Sequence, residues 1–100
     1  MKNNLANLKI ELTDFFSNEK RVSKVWLFGS YAKGKQNINS DIDLMLKFDN
    51  NEYITLMDMS EIKLKLEKLL QSSVDIVEEG FVKEFAKKNI ENEKIIIYEK

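Results

Sequence analysis

The apolar run Val25-Trp26-Leu27-Phe28 passes directly into Gly29-Ser30, which confines this stretch to a buried strand ending in a sharp turn. A glycine at that point lets the chain reverse and lets a bulky anion approach the backbone, so a phosphate is the natural guest. Ten residues further on, Ser40-Asp41-Ile42-Asp43-Leu44-Met45-Leu46 reads as a second strand. The two-residue strand period puts Asp41 and Asp43 on one face and the apolar row Ile42, Leu44 and Leu46 on the other. Two like charges side by side invite a cation.

The remaining segments supply the frame. Leu5, Leu8, Leu12, Phe15 and Phe16 recur at helical spacing and predict an amphipathic helix near residues 3 to 18. The first strand should cover 22 to 29, followed by a short helical turn from Ser30 to Lys33 closed by Gly34, then a polar loop to Ser40. Asn50-Asn51 breaks the chain before a long helix near 53 to 71. Its buried stripe is expected to be Met59, Ile62, Leu66, Leu69 and Leu70, with Leu56, Met57 and Leu64 beside it. Ser72 to Glu78 reads as a third strand, Phe81 to Glu91 as a helix carrying Phe81, Phe85 and Ala86 inward, and Ile95 to Tyr98 as the last strand. The order αβαβαβαβ, without proline, repeat or linker, predicts an α/β fold: a mixed sheet of about four strands with helices covering one face. With 100 residues the chain makes one domain, 1–100, around one modest core.

Composition removes several classes of function. Hydrophobic residues make up 43% and charged residues 33%, a globular balance, and no apolar stretch approaches the roughly 20 residues a bilayer needs. The N-terminus lacks a signal-like apolar run and cysteine is absent, so a cytoplasmic protein without disulfides or thiolate metal sites is expected. A net charge of −1 argues against direct nucleic-acid binding. Arg21 is the single arginine, which leaves phosphate pairing to lysines.

A third acid lies in Val74-Asp75-Ile76-Val77, pointing away from the face shared by Val74 and Ile76. If the second and third strands are neighbours, Asp75 stands beside Asp41 and Asp43, and the three can share one or two divalent ions. Mg²⁺ suits such a set, since it takes hard oxygen ligands and completes its shell with water and substrate phosphates. Taken alone, an Asp-x-Asp is more often the solvated face of an alternating strand. Gly29-Ser30 is equally ordinary alone, but between a strand and a helical turn its amides and the Ser30 hydroxyl can converge on a phosphate. Lys33 and Lys35 either add charge there or are solvated loop lysines. Tyr31 packs beside a base or, the commoner role, covers the sheet edge. Gly29 to Lys35 also fits the start of a phosphate-binding P-loop, but Gln36 stands where that motif has Ser or Thr. The Asp-x-Asp is not a calcium loop either, because Leu44-Met45-Leu46 replaces the polar ligands.

With Gly29-Ser30-Tyr31-Ala32-Lys33-Gly34, Ser40-Asp41-Ile42-Asp43-Leu44 and Val74-Asp75-Ile76-Val77, the chain resembles the minimal nucleotidyltransferases of the DNA polymerase β-like superfamily. It looks most like the antitoxin of HEPN/MNT toxin–antitoxin pairs. The resemblance implies that Asp41 and Asp43 ligate two Mg²⁺ ions, that Asp75 completes the catalytic metal site near the acceptor hydroxyl, and that Gly29, Ser30 and Lys33 hold the triphosphate of ATP. It further implies transfer of AMP to a tyrosine hydroxyl of a co-encoded HEPN-type ribonuclease toxin. Lysine at 33 departs from the arginine common there. Two other readings stay open: an antitoxin acting by occlusion alone, and an adenylyltransferase for a small molecule. Either a homo-oligomer or a hetero-oligomer is compatible with these residues.

Overall fold

The computed structural model describes residues 4–37, 39–81, 90 and 92–100. Helix α1 (Leu5–Ser17) opens on Asn4, whose side-chain oxygen accepts a hydrogen bond from the Asn7 amide at 2.8 Å. It is followed by β1 (Val22–Phe28), a one-turn α2 (Gly29–Lys33), β2 (Ile42–Phe48), α3 (Leu56–Leu70), β3 (Val74–Glu78) and β4 (Ile95–Glu99). Thr55 sets the start of α3 at Leu56, later than the apolar pattern suggests. Its hydroxyl accepts from the Asp58 amide at 3.2 Å while the Asp58 carboxylate accepts from the Thr55 amide at 2.9 Å. Gly34, at φ 72°, ends α2 in the left-handed conformation expected of a helix-terminating glycine.

The sheet is mixed, in the order β3-β2-β1-β4. β1 runs antiparallel to both β2 and β4, whereas β2 and β3 are parallel and joined through α3. Ile42, Leu44 and Leu46 of β2, Val25 and Leu27 of β1, and Val74 of β3 turn one face toward the helices. There they meet Leu8, Leu12 and Phe16 of α1 and Ile62, Leu66 and Leu70 of α3 in a single core. Tyr31, 2% exposed, belongs to this core, so it covers the sheet rather than facing a ligand.

Two side-chain expectations are corrected. Leu69 is 47% exposed instead of lining the stripe, because Ile62, Leu66 and Leu70 already fill the contact and Leu69 turns outward. Phe81 is 79% exposed, since it follows directly on the Glu79-Gly80 turn, its amide donating to the Glu78 carbonyl at 3.0 Å, rather than opening an inward helix face. Phe85, Ala86 and most of the expected 81–91 helix lie outside the described residues. The second sheet face is only partly open, for Trp26, Met45 and Ile90 form a small core there, flanked by Phe28 and Val77. Lys24 and Lys94 place their ammonium groups 5.0 and 4.7 Å from the Trp26 ring. Among the described residues no helix is long and apolar enough to cross a membrane.

Candidate active site

The strand pairing places the acids. Parallel register sets Asp43 directly opposite Asp75, and antiparallel register sets Phe28 opposite Asp43, so one row across the sheet reads Phe28, Asp43, Asp75. The next row on that face, Trp26, Met45 and Val77, is the apolar edge of the small second core. Asp41 comes one residue before β2 begins, exposed at its entrance. Asp75 is exposed and Asp43 half-buried. Asp43 and Asp75 therefore belong to the face away from α1 and α3, as strand phase predicts.

Gly29 connects this row to the turn. It has φ +74°, a conformation that side chains rarely adopt, and the space its missing Cβ leaves is filled by Asp43. A Cβ there would overlap the Asp43 Oδ2 and lie 3.0 Å from its Cγ. The Cβ side of this glycine is thus taken by the chain's own Asp43 carboxylate. Neither motif alone reveals that contact, because it depends on β1 and β2 pairing in this register.

Burial pushes the Asp43 carboxyl up to about 6, with the charges of Asp75 and then Asp41 acting in the same direction. Among the described residues, however, no three acidic side chains form a ready cage for an ion. The donor set nevertheless fits a hard divalent cation in chemistry, since every donor is a carboxylate oxygen.

The basic side of the site is less open than its sequence suggests. Ser30 is half-buried at the start of α2, and Lys35 is exposed in the following loop. Lys33, in the last turn of α2, lies 3.1 Å from a carboxylate oxygen of Glu93. Glu93 carries no motif, and only the pairing of β4 with β1 brings it here.

A small mixed sheet with an acidic row beside a Gly-Ser turn defines a nucleotidyltransferase, and residues 10–100 match the family described as polymerase beta, nucleotidyltransferase. The chain belongs to that family. It is similar to a Methanocaldococcus jannaschii protein provisionally named a protein adenylyltransferase, 38% identical over 78 residues, or 77% of this chain and 78% of that protein. It is also similar to the protein adenylyltransferase MntA of Thermococcus cleftensis, 30% identical over 76 residues, covering 76% and 75% of the two chains. Among solved structures it resembles a toxin–antitoxin crystal structure with AMP-PNP, at 25% identity and a TM-score of 0.72, over 93% of this chain and 73% of that one.

Proposed function

We propose that this nucleotidyltransferase, as one domain spanning 1–100, transfers AMP from ATP to a tyrosine hydroxyl of a co-encoded HEPN-type toxin and thereby acts as its antitoxin in the cytoplasm. The observation that carries the reading is the row Asp43–Asp75 with Gly29 against Asp43, which unites the acids and the Gly-Ser turn in one site. Relatives named protein adenylyltransferase and a toxin–antitoxin structure holding an ATP analogue support the substrate and the partner.

In this reading Asp41, Asp43 and Asp75 would hold two Mg²⁺ ions. Bound there, the metal would activate the attacking oxygen and stabilise the departing one. Ser30 and the Gly29-Ser30 backbone bind the triphosphate, helped by Lys33. The acceptor oxygen attacks the α-phosphorus, the α–β phosphoanhydride bond breaks, pyrophosphate leaves, and the hydroxyl proton passes to the exposed Asp75 carboxylate. The tyrosine arrives from the solvent side of the sheet, where Asp75 is accessible.

Incubation with ATP, Mg²⁺ and the co-encoded neighbour, followed by intact mass, tests this. The expected result is a mass increment of one or more AMP groups on the partner, absent with Asp43→Asn. Neutralisation of the partner by an Asp43→Asn variant that transfers nothing would instead establish occlusion as the mechanism.

A further inference from the structure

Antiparallel register sets Leu27 of β1 against Ile95 of β4. Two residues onward from Leu27 is Gly29, and two residues back from Ile95 is Glu93, so the segment entering β4 passes beside the Gly-Ser turn. There the Glu93 carboxylate meets the Lys33 ammonium at 3.1 Å, with side chains 29% and 43% exposed. Lys33 is the basic residue of α2 and the cation assigned above to the triphosphate.

We propose that Glu93 is an internal competitor for Lys33 that sets the affinity of the enzyme for nucleotide. The inference rests on the triphosphate reading of Gly29, Ser30 and Lys33. A half-exposed ion pair is weakly held, so it neither fixes the lysine rigidly nor resists exchange. Its carboxylate nevertheless holds the ammonium that a phosphate oxygen would need, and it leaves a negative charge beside the bound polyanion once the lysine has turned away. Nucleotide binding therefore replaces Glu93 by phosphate on the same ammonium. Glu93 is an affinity residue, not one that touches the reacting atoms.

The test is titration of the intact protein with the Mg²⁺ complex of AMP-PNP, at low and high salt, for wild type, Glu93→Gln, Lys33→Gln and the double variant. Glu93→Gln should tighten binding roughly two- to fivefold at low salt, the range of an exposed ion pair, with the gain shrinking as salt screens it. With the partner present, its KM for ATP should fall while kcat holds. Lys33→Gln should weaken binding, and adding Glu93→Gln to it should recover little. If Lys33→Gln weakens binding but Glu93→Gln leaves it equal or weaker, the proposal is overturned, because Glu93 then serves to position the lysine. If Lys33→Gln has no effect on affinity, the assignment of Lys33 to the triphosphate fails, and the competition falls with it.

Discussion

At the scale of single residues, Gly29 and Gly34 separate two reasons for a glycine. Both have positive φ, but a Cβ on Gly34 would meet nothing within 4 Å, whereas one on Gly29 would meet Asp43. Gly34→Ala should cost about 1 kcal/mol, the strain of the left-handed backbone alone. Gly29→Ala should cost roughly 2–4 kcal/mol, and Asp43→Ala in the same chain should restore part of it, a coupling readable by denaturant melts. Asp43 itself makes a pH prediction. Its carboxyl is raised from 3.8 to about 6, so its contribution to stability is fully present below the lower value and is lost as pH rises through the higher. The metal-free Asp43→Asn variant should therefore be more stable than wild type at pH 8, by about 1–2 kcal/mol after allowing for solvent screening, and the gap should close toward pH 4. Denaturant melts at the two pH values measure it.

At the scale of elements, α3 shows how a helix divides its residues. Leu66 has no exposure while Leu64, on the opposite side of the helix, is 65% exposed. Leu66→Ala should cost about 2–5 kcal/mol by opening a cavity, whereas Leu64→Ala should change stability by no more than about 0.5 kcal/mol. Urea titration of the two variants measures this contrast. The helix start is fastened twice, by the Thr55–Asp58 capping box and by Arg21, which reaches Asp58 at 3.3 Å, Glu61 at 2.8 Å and Glu19 at 2.7 Å. The strands were readable from the sequence because alternation and apolar runs are local. Leu69 and Phe81 were misread, since apolar identity says that a residue can be buried but not that a neighbour will cover it.

For the molecule as a whole, the sheet order makes the site. Parallel pairing of β2 with β3 unites two acids that lie far apart in sequence, Asp43 and Asp75. The strand phase of each acid was legible, but the register that sets them opposite each other is a tertiary fact, as are the Gly29 contact and the approach of Glu93. A whole-molecule measurement follows from the cluster of charges. Millimolar Mg²⁺ should raise the melting temperature of wild type by relieving repulsion at Asp43, and should do so much less in Asp43→Asn. An equal shift in both would place the cation elsewhere.

The small core on the acid-bearing face has an optical consequence. Trp26 is the only tryptophan in the chain, 6% exposed, and it lies one row from Asp43 across the paired strands. Its fluorescence therefore reports from within a few side chains of the proposed chemistry, without a label. Emission should be blue-shifted in the folded protein, and its intensity should respond to cation and nucleotide through Met45 and Phe28. A fluorescence titration of the unlabelled protein with cation and nucleotide measures that response, and an emission that stays constant throughout would refute it.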